Sequence, residues 1–170
     1  MTYLLLDAAR MGREILTAKE LNPEHGCLYK GRSEEALADF APYLFTVEQE
    51  SAFIKWIFRE GWGSSWGLFM QSAETAEVVY KHFRKFLMVR TEEGEELYFR
   101  FYDPRVLRIF LPTCDAEQLW EFFGPIEAYI MEAEDPAHYI RFTLEQGKLK
   151  TEVGKAVQFT GVVERVEANE

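Results

Sequence analysis

The arrangement nearest to a catalytic signature is Gly63-Ser64-Ser65-Trp66-Gly67, which fits the G-x-S-x-G pattern that presents a serine nucleophile on a sharp turn. Asp103 and His138 follow in the chain order of a hydrolase triad, so a serine hydrolase using this loop is one reading. A nucleophile elbow joins a preceding strand to a following helix. Here the flanking pattern predicts a helix before the loop and a strand after it, which argues against that chemistry. The competing reading is a turn whose glycines permit unusual backbone angles while Trp62 and Trp66 anchor it to the core.

The remaining polar candidates suggest structure more than reaction. His25, His82 and His138 have no second ligand at metal-like spacing, so neither a metal nor a cofactor is expected. Cys27 and Cys114 lie far apart without a companion C-x-x-C, which predicts two buried thiols rather than a disulfide or zinc site. Asp7 ends a predicted strand, where α/β enzymes place catalytic groups, but no glycine-rich phosphate loop follows and a capping or turn role is favoured. In RFYDPRVLRIF (100–110), Arg100, Asp103, Arg105 and Arg108 crowd charge among aromatics. A half-buried arginine needs a carboxylate partner, so an ion-pair network is preferred there to a binding role. Lys81, Arg84, Lys85 and Arg90 form a small basic patch, read as a solvated helix face or the complement of an acidic partner.

These residues must be positioned by alternating elements. Residues 3–8 read as a buried strand and 10–21 as a weak helix broken by Gly12 and ended by Asn22-Pro23. A strand over 27–30, a short helix opened by Ser33 and a strand at 43–45 follow. Thr46 with Gln49 predicts a capping box for a helix to about Arg59. After the loop, residues 68–70 read as a strand, and Ser72 as the N-cap of a helix over 73–86 whose buried stripe holds Val79, Phe83, Phe86 and Leu87. Residues 87–91 and 96–102 predict a hairpin with Leu97, Phe99 and Phe101 on one face. Asp103-Pro104 starts a helix ended by Pro112, and Asp115 with Gln118 caps another over about 116–123, stopped by Gly124-Pro125. Residues 126–131 are a strand, 132–136 an acidic break, and 138–153 a hairpin before a poorly defined tail. The order predicts an α/β or α+β fold: a single mixed-sheet domain flanked by helices, with a small C-terminal hairpin or tail lobe.

With 170 residues and 48% hydrophobic side chains, the chain is long enough to bury a sizeable core. Nineteen basic against 29 acidic residues leave a net charge of −10, which disfavours nucleic acid as a partner. No apolar run reaches the length of a signal peptide's apolar region or a membrane span, so a cytoplasmic protein with no membrane partner is expected.

Several segments together carry a family likeness: YLLLDAA (3–9), Pro42-Tyr43-Leu44, GWGSSWGLFMQS (61–72), HFRKFLMV (82–89), Gly94, FRFYDPRVL (99–107), Leu111-Pro112 and FFGP (122–125). In these the chain resembles the domain of unknown function 4123, whose members act as adaptor chaperones of the bacterial type VI secretion system. The resemblance implies a non-enzymatic loader that binds a toxic effector, through its N-terminal segment, in the producing cell and helps place it on the VgrG spike. It implies a core domain over 1–131 and a small extension over 137–170. Longer members continue into a variable C-terminal lobe, so here either that extension is a minimal lobe or the core itself grips the effector. Members of the shared motifs expected to be exposed and to meet a partner are Arg84, Arg100, Tyr102, Asp103 and Arg105, with Trp62 and Trp66 shaping the loop. A small-ligand-binding domain is a further reading.

Overall fold

The computed structural model describes residues 1–160, apart from the side chains of Ser33, Glu34 and Thr160. Nine strands are present among these residues: β1 (Thr2–Asp7), β2 (His25–Cys27), β3 (Pro42–Val47), β4 (Gly67–Gln71), β5 (Met88–Arg90), β6 (Glu96–Tyr98), β7 (Ala128–Glu132), β8 (His138–Glu145) and β9 (Lys148–Lys155). The helices are α1 (Ala8–Met11), α2 (Glu14–Leu21), α3 (Arg32–Leu37), α4 (Ala52–Trp56), α5 (Ala76–Arg84), α6 (Pro104–Phe110), α7 (Ala116–Phe123) and α8 (Ala156–Thr160). Seven strands form one sheet in the order β2-β3-β1-β4-β7-β8-β9, with antiparallel pairing throughout. β5 and β6 pair only with each other. The fold thus combines α and β elements as expected, and the hairpin of β8 and β9 continues the main sheet.

The continuous apolar run of β1 reflects burial on both faces. Tyr3 and Leu5 enter one core cluster with Val79 and Phe83 of α5, Leu107 of α6, and Leu119, Phe122 and Phe123 of α7. Leu4 and Leu6 enter the other, with Met11 of α1, Ile15 and Ala18 of α2, and Phe53 and Ile54 of α4. Helices therefore cover both faces of the sheet, each contributing an apolar stripe. On α5 that stripe is Val79 and Phe83, both fully buried. His82 beside it is also buried, and its Nε2 donates to Phe122 O at 2.8 Å. Burial pushes the His82 imidazole below its ordinary pKa.

Several boundaries differ from expectation, among them the second strand, expected over 27–30 and found at His25–Cys27. Thr46 lies within β3, and the next helix starts at Ala52, where Ser51 Oγ accepts from Ile54 N at 3.3 Å. Cross-strand pairing to Tyr3 takes Thr46 out of a cap position. The helix then widens into a π turn over Ile57–Gly61. Trp66 lies flat against Gly61, where any side chain would overlap the indole. Ser72 does not cap α5. Its hydroxyl accepts from Glu74 N and donates to Pro125 O at 2.7 Å, and the helix begins only at Ala76. The second strand of the small hairpin ends at Tyr98, because Phe101 and Tyr102 are both buried. A hairpin strand with one face to solvent buries only alternate side chains, and in β6 itself Leu97 is 49% exposed. Finally, α3 begins at Arg32 behind Gly31 (φ 64°) rather than at Ser33. Of the expected extension, residues 161–170 lie outside the described residues.

Candidate functional site

Among the described residues three carboxylates are buried: Asp7, Asp103 and Glu132. Each is engaged by hydrogen bonds, and together they hold the loop over 61–67 and the side chains of Arg100 and Arg105. Asp7 Oδ1 accepts from Ala9 N at 3.0 Å, capping α1, while Oδ2 takes the Arg100 guanidinium. Asp103 caps α6 through Arg105 N at 2.9 Å and holds the Arg105 side chain through both oxygens, at 3.0 and 2.6 Å. Burial opposes its charge, but the Arg105 hydrogen bonds and nearby arginine charges hold its pKa below the ordinary value. The ion pairing expected of the arginine-rich segment is therefore present in part, as Arg105–Asp103 within it and Arg100–Asp7 outside it, and Asp7 has the expected capping role.

The sequence pattern places Glu132 at the start of an acidic break. It is instead the buried last residue of β7, and the loop over 61–67 is folded around its carboxylate. Oε2 accepts from Gly63 N at 2.7 Å; Oε1 accepts from Ser65 N and Ser65 Oγ, both at 3.0 Å. Ser65 itself is in the left-handed region (φ 56°), a conformation uncommon for serine. Trp62 Nε1 donates to Pro136 O at 2.7 Å, and Trp66 lies tilted against Trp56 with centroids 5.3 Å apart. Arg108 adds a bond to the Glu132 carbonyl at 2.8 Å. A glycine-rich loop rich in free amides needs an acceptor. That need was the available signal for Glu132.

The hydrolase arrangement is not assembled around Ser65. Its hydroxyl donates to Glu132, Asp103 is held by Arg105, and His138 Nδ1 lies 3.0 Å from Asp135 Oδ2. Among the described residues no group of three or more His, Cys, Asp or Glu side chains is placed to hold a metal ion. Cys27 is buried as expected, whereas Cys114, in the loop after α6, is only half-buried, with its thiol against Phe110 O.

The residues expected to be exposed divide in two. Tyr102 and Asp103 are 3% and 2% exposed, a correction imposed by core packing and by the arginine that covers the aspartate. Arg100 and Arg105 keep nearly half of their side chains in solvent. Arg84 stands apart, half-buried with its guanidinium 5.9 Å from the Tyr80 ring centroid. Arg100 and Arg105 flank an open groove of about 660 Å³ whose apolar lining is Phe99, Val106, Ile109 and Phe110. Ile109 is 73% exposed there.

The Arg100–Asp7 pair gives a direct test of what this network does. Removing one partner of a buried pair leaves a charge uncompensated, although solvent at the exposed arginine moderates the loss. Arg100→Ala is expected to destabilise the fold by about 2 kcal/mol. Adding Asp7→Asn, which retains an acceptor for Ala9 N and removes the charge, should recover most of that loss. Denaturant titration of the two variants checks this.

The architecture is a two-sided antiparallel α/β domain whose glycine loop and arginine-rich segment are pinned by buried carboxylates. Residues 2–121 match the family model described as domain of unknown function (DUF4123), and the chain belongs to that family. β7, β8 and β9 lie beyond the matched residues. No curated protein and no solved structure matches the chain.

Proposed function

We propose that this protein is an adaptor chaperone of a type VI secretion system, binding a toxic effector through its N-terminal segment and helping to load it onto a VgrG spike. Membership of the family supports the reading. The observation that carries it is the open groove along α6, apolar within and flanked by Arg100 and Arg105. Such a surface suits a transient grip: the apolar lining supplies affinity, and charges at the rim govern encounter rate and choice of partner. The proposed chemistry is binding, and the engagement of Ser65 in holding its own loop supports that reading over a hydrolase.

The test is capture of the products of the flanking genes by the purified chain. Effector or spike should be retained, and Ile109→Asp, a change at an exposed position, should weaken retention at least about tenfold. Ser65→Ala should not. Arg100→Ala is a poor probe because it also unsettles the fold. Failure to retain either neighbour at micromolar concentration would sink the adaptor reading.

A further inference from the structure

β9 is the last strand of the seven-stranded sheet, and β8 is its one neighbour among the described residues. The parity of its free backbone groups follows from the turn before it. Gln146 and Gly147 both have positive φ, 51° and 75°, the signature of a two-residue I′ hairpin. The bracketing residues Glu145 and Lys148 then exchange the first pair of ladder bonds, and alternate residues follow. Lys148, Lys150, Glu152 and Gly154 point their amides and carbonyls toward β8. Ala156 has the same parity and donates to Ala137 O at 2.8 Å. The backbone groups of Leu149, Thr151, Val153 and Lys155 therefore face outward along an eight-residue edge.

We propose that this edge pairs with the same edge of a second copy of the chain, antiparallel about a two-fold axis through Thr151. The pairing is independent of the adaptor reading. In this register Thr151 faces the partner's Thr151, and Leu149 faces the partner's Val153. Outward groups meet outward groups, as a ladder requires. Lys150 then stands opposite the partner's Glu152, twice by symmetry, at the close spacing of a non-hydrogen-bonded pair.

Neighbouring registers fail on the same residues. A slip of one residue sets outward backbone groups against inward ones. A slip of two sets Lys150 against Lys150 or Glu152 against Glu152, and like charges directly opposite are unfavourable. Lysines guard an edge strand when they meet like charge or apolar surface. Here each Lys150, which within its own chain reaches Glu145, also meets the partner's Glu152, and within each chain Glu152 contacts Arg141 and Tyr139. Val153 is 60% exposed, whereas Leu149 already packs against the core cluster on the same face of the sheet. Pairing extends that cluster across the two-fold axis and covers the exposed valine. The contact is isologous and of small area, so association should be concentration-dependent.

Sedimentation of the full chain from micromolar to near-millimolar concentration should show the mass rising from 19.9 kDa toward twice that value. A constant 19.9 kDa overturns the proposal. Thr151→Pro removes an outward donor and leaves the ladder to β8 intact, so it should weaken association about tenfold or more. Should that variant lose its native spectrum, Lys150→Glu, which opposes two carboxylates, takes its place with the same expected direction. Association that survives the folded variant belongs to another surface and overturns the proposal. Under mild oxidation Thr151→Cys should form a covalent dimer that the unsubstituted protein does not, since opposed Cα atoms in this register lie within disulfide reach. A failure to cross-link overturns the register.

Discussion

A chain carrying Gly67→Ala is expected not to reach the native state, or to reach it with a loss of more than about 4 kcal/mol. Gly67 opens β4 and pairs with Leu6 of the central strand. A methyl group there would overlap the Leu5 carbonyl oxygen and sit 2.9 Å from the Leu5 carbonyl carbon and 3.0 Å from Leu6 Cα. These are backbone atoms of a strand buried on both faces, so no side-chain rotation relieves the overlap. Separation of β4 from β1 would also break the sheet between its two halves. The check is soluble yield and thermal unfolding. A Gly67→Ala variant that melts within a few degrees of the unsubstituted protein would refute the account of this strand crossing.

The second large effect is expected at Glu132. Replacement by Ala strands three donors, the amides of Gly63 and Ser65 and the Ser65 hydroxyl, that now share one buried carboxylate. The buried Ser65 donors left without an acceptor pay their desolvation cost in full, whereas the amide of the exposed Gly63 can turn to water, and the expected loss is about 3 kcal/mol, or roughly 6–12 °C in melting temperature for a chain of this size. Glu132→Gln should cost less, about 2 kcal/mol, because the amide keeps one acceptor but turns a donor toward a donor. Ser65→Ala removes a single bond and should cost about 1 kcal/mol. That ordering distinguishes a loop held by Glu132 from a catalytic serine, for which Ser65→Ala would abolish an activity while leaving stability nearly unchanged. Equal melting temperatures for Glu132→Ala and the unsubstituted protein would remove the structural role assigned to the carboxylate.

Much of the architecture was readable because its signals are local. The unbroken apolar run of Tyr3 to Leu6 announces a strand covered on both faces. Asp103-Pro104 and the pair Asp115 and Gln118 start helices through hydrogen bonds within three residues of themselves, and both caps are present. Thr46 and Ser72 carry similar local signals, yet each is claimed by a distant partner: Thr46 by pairing with Tyr3, Ser72 by the carbonyl of Pro125. At Thr46 a short-range cap competes with a sheet ladder to a strand more than forty residues away, and the ladder prevails because it is cooperative along the strand.

By itself the sequence determined the alternation of elements, the burial of β1, the caps of α6 and α7, the ion pairing of the arginine-rich segment and the family likeness. Only the tertiary structure decided which carboxylate each cation and loop would take. Arg100 could have met Asp103, three residues away; it meets Asp7, ninety-three residues away, while Arg105 takes Asp103. Glu132 could have been solvated with the acids that follow it; it is enclosed by the loop over 61–67. Side-chain type states that a buried charge needs a partner, but the identity of the partner depends on which strand ends the sheet brings together, and that is a property of the assembled chain.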